Sequence, residues 1–198
     1  MNLAESKTLQ NLMRAFAGEC QARTRYYFAA SCAKNEKLPV IESVFHYTAD
    51  QEYEHAAVFY KHMREAGVRN VDICAGYPVD LKTDSLSLLK DARHNEMEER
   101  HIVYPDFARV AQEEGFPAIA RSFDQIAQIE QTHGERFALL ADWIEEGKLF
   151  SNAGQKTRWI CLNCGNVIEA AEAPAMCPVC QHEQGYYIRE ENAPFARG

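Results

Sequence analysis

The chain has 198 residues, of which 46% are hydrophobic and 25% are charged, and its formal net charge is −8. This balance is typical of a globular protein, and the negative charge argues against nucleic acid as a partner. The sequence contains no apolar run of about 18 residues or more, which argues against a membrane-spanning helix. Its start lacks the pattern of a secretory leader. We therefore expect a cytoplasmic protein with no membrane partner.

Residues 1–148 contain four long amphipathic segments in which apolar residues recur at steps of three and four, the pattern of helices packed in a bundle. Capping residues, first-turn prolines and terminal glycines mark their boundaries, and Pro105 is expected to bend the third helix. Residues 68–83 lack this periodicity and are long for a plain loop, so they predict a crossover connection. One long connection between two short ones indicates a mainly α, ferritin-like four-helix bundle. The predicted helices span about residues 5–33, 39–67, 84–115 and 117–147.

The fourth helix carries two polar residues on its apolar face. Ile119, Phe123 and Ile126 begin this face, and Glu130 and His133 occupy its next two positions. The two side chains lie one turn apart on the same side of the helix. A buried glutamate is costly unless it is paired or binds a metal. This helix is therefore predicted to hold a cation.

The other three helices also place acidic residues on their inward faces. Glu52 and His55 repeat the Glu-x-x-His spacing on the second helix, and Glu19 lies on the first. Seven of the eight net negative charges belong to residues 1–150, and a solvated acidic surface does not explain why the glutamates face inward. A glutamate on each of two helices and Glu-x-x-His on each of the other two is the pattern of di-iron carboxylate bundles.

The inward face of the third helix is predicted as Leu89, Ala92, Glu96, Glu99, Val103 and Val110. The predicted ligands of two cations are Glu19, Glu52, His55, Glu96, Glu130 and His133, with Glu99 as an extra carboxylate.

A polar linker, residues 149–158, separates the bundle from a predicted small domain, residues 159–198. Twelve residues lie between the pairs Cys161-x-x-Cys164 and Cys177-x-x-Cys180, a spacing typical of a tetrathiolate metal site. About forty residues cannot build an adequate core alone, so we expect the metal to be needed for folding. The spacing does not choose between zinc and iron. Two disulfides are the alternative, which a reducing compartment disfavours.

These motifs, in this order, resemble the rubrerythrin family over nearly the whole chain. The similar stretches are AFAGECQARTRYYFAA, the helix with Glu52 and His55, EMEERHIVYPDFA, IEQTHGERF, and W-x-C-x-x-C-G followed by C-P-x-C. The resemblance implies a non-haem di-iron site in the bundle and one iron on four cysteines of a rubredoxin-like domain. It also implies peroxide reduction in oxidative-stress defence. The implied assembly is a homodimer or higher homo-oligomer, in which the rubredoxin-like iron of one subunit serves the di-iron site of its partner.

The resemblance also implies a role for each site residue. His55 is implied to exchange with Glu99 as one iron shifts on reduction, and the hydroxyls of Tyr26 and Tyr104 to hydrogen-bond the site. The implied ligands of the oxidised site are Glu19, Glu52, Glu96, Glu99, Glu130 and His133, and those of the single iron are Cys161, Cys164, Cys177 and Cys180.

Two positions depart from the family pattern, and neither is a ligand. Cys20 stands where a small hydroxyl residue is usual, and Gln181 where a simple rubredoxin has glycine. Cys20, Cys32 and Cys74 are scattered through the bundle sequence without partners. We expect these three to be small buried hydrophobic residues.

We therefore expect a non-haem di-iron peroxidase that reduces hydrogen peroxide to water. Two ferrous ions can supply both electrons at once, and carboxylates stabilise the ferric products. A tetrathiolate iron can reload the pair one electron at a time, which redox-inert zinc cannot do. The expected electron donor is a rubredoxin or an NAD(P)H-dependent reductase. Three alternatives stay open, namely oxygen activation on an organic substrate, ferritin-like iron oxidation and storage, and a binding module with a structural zinc ribbon.

Overall fold

The large part of the molecule is a helical bundle, seen in a computed structural model that describes residues 2–194. The end of the predicted small domain, residues 195–198, lies outside the described residues. α1 packs along α2, and α3 and α4 pack along α5, which confirms the mainly α four-helix bundle. Within residues 2–194, no helix combines the length with the hydrophobicity that a membrane span requires. The helices are α1 Lys7–Asn35, α2 Pro39–Glu65, α3 Ser85–Glu98, α4 Tyr104–Glu113 and α5 Pro117–Glu145.

The helices begin and end where local sequence signals predict. The side chains of Ser6 and Asp84 each accept a hydrogen bond from a backbone N–H of the first turn of α1 and α3, as N-caps do. Pro39 is the first residue of α2, a position where its missing N–H costs nothing. Gly67 follows α2 with a φ of 71°, which stops the helix at little steric cost.

The third helix of the bundle is interrupted by a π turn, Glu99–Val103, between α3 and α4. The backbone N–H of Tyr104 donates to the carbonyl of Glu99, five residues back. Pro105 follows and has no N–H to donate. The π turn accommodates one extra residue, so the inward face shifts by one position after it. The prediction that Val110 faces the core is therefore wrong, since it is only half-buried and packs against neither apolar cluster of the bundle. Val103 is half-buried and does pack against the apolar cluster that contains Phe123. Beyond the π turn, the buried residues are Tyr104, Ala108 and Ala111.

The predicted crossover, residues 68–83, lies along α1. Arg25 forms an ion pair with Asp80 at 3.3 Å, and the hydroxyl of Tyr77 donates to the backbone oxygen of Arg14 at 2.9 Å. These contacts hold a segment without helix or strand against the outside of the bundle.

The small domain contains a three-stranded antiparallel sheet in the order β2-β1-β3. In the centre of the sheet, Trp159 pairs with Ile168 on one side and with Arg189 on the other. The strands are β1 Thr157–Cys161, β2 Val167–Ala170 and β3 Tyr187–Arg189. A small core lies beside the sheet and consists of the buried residues Trp159, Cys161, Ala173, Cys177 and Tyr187.

The small domain docks on the end of the bundle where α1 meets α2. A Cβ added to Gly185 would lie 2.5 Å from the backbone oxygen of Lys37, so glycine is needed for this close approach. Ile188 of β3 packs into the same apolar cluster as Val40 of α2. The chain thus carries its four cysteines at one end of the bundle.

Candidate metal centres

The acidic residues and histidines predicted on four helices meet in the middle of the bundle. Glu52 and Glu130 belong to two groups of possible ligands, and within each group the ligand atoms lie within 4.8 Å of one another. The first group is Glu19, Glu52, His55 and Glu130, and the second is Glu52, Glu96, Glu130 and His133. Two shared carboxylates are what a pair of adjacent cations requires.

Glu52 and Glu130 each present one oxygen to each histidine. His55 Nδ1 lies 2.9 Å from Glu52 Oε2 and 3.0 Å from Glu130 Oε1. His133 Nδ1 lies 3.0 Å from Glu52 Oε1 and 3.0 Å from Glu130 Oε2. The two imidazole rings are stacked, with centroids 5.6 Å apart. The geometry therefore offers two similar positions bridged by two carboxylates.

Glu19 and Glu96 stand at the outer ends of this arrangement, each with a tyrosine. Glu19 Oε2 and Glu96 Oε2 lie 3.7 Å and 3.6 Å from the nearest histidine Nδ1. The hydroxyl of Tyr104 donates to Glu19 Oε1, and that of Tyr26 donates to Glu96 Oε1. Each tyrosine thus holds one carboxylate oxygen and leaves the other facing the centre.

The residues present fit two bound cations. A buried carboxylate or imidazole without a partner is costly. Several such atoms lie in this cluster, and they converge on two positions, each of which could hold a cation. Oxygen donors with one histidine at each position match the ligand set of di-iron carboxylate bundles. The buried atoms without a hydrogen bond include Glu19 Oε2, Glu52 Oε1, Glu96 Oε2, both carboxylate oxygens of Glu130 and His133 Nδ1.

The protonation of these carboxyls also depends on a cation. Burial raises the pKa of Glu96 to about 8, and the negative charges of Glu52 and Glu130 add to the effect. Burial and the charge of Glu130 likewise raise the pKa of Glu19, and burial raises that of Glu99. Two divalent cations would reverse this balance and keep the carboxylates ionised.

The sequence analysis missed two residues that orient His133. His133 Nε2 lies 3.1 Å from Gln51 Oε1, and Arg136 Nη1 lies 3.4 Å from the same oxygen. Because this oxygen accepts the proton on Nε2, the lone pair of Nδ1 is free to face the metal positions. An inward histidine does predict an acceptor for its second nitrogen. Nothing in the sequence says that Gln51, on another helix, supplies it.

Glu99 belongs to neither group of ligand atoms. It lies at the start of the π turn and is partly exposed, whereas His55 is buried within the first group. Of the two residues that the family resemblance implies to exchange, the structure therefore places His55 at the cluster and Glu99 beside it.

The four cysteines converge in the small domain, with ligand atoms within 4.8 Å of one another. The Sγ atoms of Cys161 and Cys180 are 3.8 Å apart, and those of Cys164 and Cys177 are 3.6 Å apart. A disulfide bond measures about 2.05 Å, whereas a tetrahedron with metal–sulfur bonds of about 2.3 Å has edges of about 3.8 Å. The geometry fits one tetrahedral metal ion, and all four thiols are free.

Comparison with known proteins decides the family. Residues 10–141 match the family model described as Rubrerythrin, and residues 159–194 match the one described as Rubrerythrin, rubredoxin-like domain. The chain is 48% identical over 187 residues to the rubrerythrin of Clostridium perfringens, which covers 94% of this chain and 95% of that protein. The chain belongs to the rubrerythrin family.

Other rubrerythrins show the same full-length similarity. Identity to that of Porphyromonas gingivalis is 43% over 182 residues, covering 92% of this chain and 89% of the relative. Identity to that of Nitratidesulfovibrio vulgaris is 40% over 186 residues, covering 94% and 95%. Membership of the rubrerythrin family makes the bundle a di-iron domain, the four-cysteine site a rubredoxin-like iron site, and the protein an oxidoreductase.

Solved structures confirm the ferritin-like fold. Fully reduced, all-ferrous nigerythrin aligns with a TM-score of 0.60 and 26% identity, covering 96% of this chain and 93% of that one. A bacterioferritin of Desulfovibrio desulfuricans, described with its di-iron site in different catalytic states, aligns with a TM-score of 0.65 and 21% identity. That alignment covers 72% of this chain and 82% of the bacterioferritin, and it concerns the fold alone.

The three remaining cysteines are more exposed than predicted. Cys20 and Cys74 are exposed, and Cys32 is only partly buried. The expectation that they are small buried hydrophobic residues is therefore wrong for Cys20 and Cys74, whereas Cys32 packs, partly buried, against the apolar cluster that contains Val40. Cys20 directly follows the inward Glu19 on α1, so its own side chain points away from the bundle centre.

Proposed function

We propose that this protein is a peroxidase that reduces hydrogen peroxide to water at the bundle site. The observation that carries the proposal is the pair of adjacent metal positions that share Glu52 and Glu130. The reaction consumes two electrons and two protons for each peroxide and releases two waters. When bound, two ferrous ions supply both electrons together, and the four-cysteine iron returns them one at a time.

The proposed roles of the protein groups follow from their contacts. Glu52 and Glu130 bridge the two positions and keep them at one spacing, since each carboxylate faces both histidines. Tyr26 and Tyr104 fix the outer carboxylates through their hydroxyl groups. The proposed ligands of the di-iron site are Glu19, Glu52, His55, Glu96, Glu99, Glu130 and His133, and those of the single iron are Cys161, Cys164, Cys177 and Cys180.

We propose that His55 and Glu99 alternate beside Glu19. His55 would hold the metal of the reduced protein, because a neutral imidazole suits a ferrous ion, and Glu99 would hold that of the oxidised protein, because an anionic oxygen suits a ferric ion. The proposal is supported by the close contact of His55 with the bridging carboxylates. It is also supported by the position of Glu99 on a π turn, an irregularity that is frequent at functional sites.

The separation of the two sites within one chain supports a homodimer or higher homo-oligomer. Pro39, near the docked small domain, and Glu52 are separated along α2 by about 20 Å at about 1.5 Å per residue. Electron tunnelling weakens steeply with distance. We therefore propose that the four-cysteine iron of one subunit serves the bundle site of its partner.

We propose that the chain has two domains, residues 1–148 and residues 159–198, and that residues 149–158 are the linker between them.

The external partners are also proposals. Cys164 is exposed, so an electron donor such as a rubredoxin or an NAD(P)H-dependent reductase can approach the four-cysteine site from solvent. The free thiols of Cys20, Cys32 and Cys74 favour a reducing compartment, and we place the protein in the cytoplasm on that ground.

A single-turnover experiment tests the proposed function. The iron-loaded protein is reduced without oxygen and mixed with hydrogen peroxide, and the thiolate–iron absorption and the remaining peroxide are followed together. We expect one peroxide to disappear for every two electrons released. Slow peroxide consumption with rapid uptake of added iron would favour storage. A colourless four-cysteine site filled with zinc would favour the structural ribbon.

A further inference from the structure

Six of the seven proposed di-iron ligands are closed off from solvent. His55 is 5% exposed, and each of the other five is at most 1% exposed. The exception is Glu99, which is partly exposed. A small molecule that approaches the site from solvent therefore meets Glu99 first.

A cavity of about 180 Å³ reaches Glu99 from the side of the crossover. It lies between α1, the crossover and the third helix of the bundle, and Tyr104 also lines it. The hydroxyl of Tyr104 donates to Glu19, so the inner end of the cavity touches a side chain that contacts the metal ligands. Gly18 of α1 lines the cavity between Tyr77 and Glu99. A Cβ added there would be 3.6 Å from Tyr77 Cε1 and 3.9 Å from Glu99 Oε1.

Tyr77 and its neighbours form a fixed roof over this cavity. The Tyr77 hydroxyl donates to the backbone oxygen of Arg14 at 2.9 Å, and Arg14 Nε donates to the backbone oxygen of Cys74 at 3.4 Å. On the other side of Tyr77, the side-chain amide of Gln21 donates to the backbone oxygen of Pro78. The cavity is therefore held open by contacts between the crossover and α1.

We propose that this cavity is the route by which hydrogen peroxide reaches the di-iron site, and that Gly18 and Tyr77 set the size of the peroxide admitted. The inference rests on the proposed peroxidase function. A water molecule occupies about 30 Å³ in the liquid, so the cavity has room for hydrogen peroxide. It is small for a bulky aryl hydroperoxide, because the Tyr77 ring lies only 3.6 Å from the position that a Gly18 Cβ would take.

Filling the space beside Gly18 with a larger side chain tests the route. In Gly18→Val we expect the rate constant for oxidation of the reduced, iron-loaded protein by hydrogen peroxide to fall about tenfold or more, equivalent to about 1.4 kcal/mol of barrier. Azide binding to the oxidised protein, followed by visible absorption, should slow in parallel. Gly18→Ala should show a smaller decrease. The matched control is Ser31→Val on the same helix, which lines a larger cavity of about 560 Å³ that includes none of the proposed ligands.

Opening the roof tests the size limit. In Tyr77→Ala we expect the rate with cumene hydroperoxide, relative to that with hydrogen peroxide, to rise about tenfold. Tyr77→Phe keeps the ring and should retain the parent selectivity. If Gly18→Val holds its full iron content and reacts with peroxide and azide at parent rates, the route lies elsewhere. If Gly18→Val does not fold, parent selectivity in Tyr77→Ala overturns the proposal.

The two proposals fail in different ways. A parent protein that consumes no peroxide would refute the proposed function, and the azide rates of the variants would still decide the route. A parent peroxidase whose variants keep parent peroxide and azide rates would refute the route alone.

Discussion

The two metal centres of this protein are built in opposite ways. The bundle site draws its ligands from four helices, between Glu19 and His133, and nearly all of them are buried. The four-cysteine site draws its ligands from two short turns between Cys161 and Cys180, and Cys164 is exposed. The first site exists only once distant parts of the chain have packed together. The second is local, and its metal supplies much of what holds the surrounding chain.

The apolar cores show the same contrast. The bundle has one large apolar cluster that contains Phe45 and Phe137 and another that contains Phe59 and Phe123. Burial of each such ring stabilises the fold by about 1.5–3 kcal/mol. The apolar cluster of the small domain has five buried residues within the described part of the chain, and two of them are cysteines of the four-cysteine site. We therefore expect the bundle to fold without its metals and the small domain to depend on its metal.

The largest expected effect comes from removing a bridging carboxylate. Glu130→Ala should abolish peroxide turnover, because both metal positions lose a ligand, while the thiolate–iron absorption of the small domain is retained. Steady-state peroxide consumption and a visible spectrum check this. Glu54→Ala, an exposed position on α2, is the control and should behave as the parent. Parent turnover in Glu130→Ala would show that the ligand assignment is wrong.

A smaller loss is expected at the ligand that is proposed to exchange. His55→Ala should still bind two irons when oxidised, since Glu99 is then the proposed partner, but it should reduce peroxide about 10–100-fold more slowly. Iron analysis and single-turnover kinetics measure the two quantities separately. Crystals of the oxidised and dithionite-reduced parent protein provide the sharper test. An iron in the same place in both, with His55 unbound in each, would contradict the exchange.

Metal removal should separate the two regions by stability. Chelation should unfold residues 159–194, whereas the bundle should stay helical and lose about 5 kcal/mol, which is about 2.7 kcal/mol for each of two metals present at about 100 times its dissociation constant. The free energy of unfolding falls because the buried acidic side chains of the bundle repel one another when no cation is bound. Helical circular dichroism during heating and protease protection of the small domain measure both effects. A melting midpoint of the bundle that stripping leaves unchanged would count against its metal site.

The smallest effect is expected at the far end of the bundle, where no metal is involved. Glu114 accepts hydrogen bonds from the backbone N–H groups of Lys7 and Thr8 at 3.0 Å and 2.8 Å, so it caps α1 from another helix. Glu114→Gln should destabilise the protein by about 1 kcal/mol. Urea unfolding at several pH values measures the difference. Glu113→Gln, on the neighbouring exposed position of α4, is the control.

The pH dependence of this effect has a definite sign. Burial opposes ionisation of Glu114, but the hydrogen bonds from Thr8 and Lys7 outweigh it and lower its pKa below the ordinary 4.5. A carboxyl with a lowered folded pKa stabilises the protein fully above its unfolded pKa and loses this contribution as the pH falls through the folded value. The difference between parent and variant should therefore be constant above about pH 5 and vanish in stronger acid. A difference that grows on acidification would contradict the assignment.

Most of the fold and of the candidate ligand set could be predicted from the sequence, because both depend on spacing along the chain. Inward glutamates and histidines in a helical repeat identify the cluster, and paired cysteines identify the knuckles. The prediction failed on the third helix at Val110, which was expected to face inward and is only half-buried. One extra residue in the π turn rotates everything after it. Helical periodicity alone cannot detect such a turn, since a proline such as Pro105 can equally end or bend a helix.

The sequence by itself determined most helix ends, the inward glutamates and histidines of the bundle and the four-cysteine cluster, because capping, helical repeats and knuckle spacing act over a few residues. Only the tertiary structure decided that Glu52 and Glu130 are shared between two positions, and that His55 lies at the cluster while Glu99 lies beside it. It alone placed Tyr77 over Gly18. These features depend on contacts between segments far apart in the chain, and local spacing carries no information about such contacts.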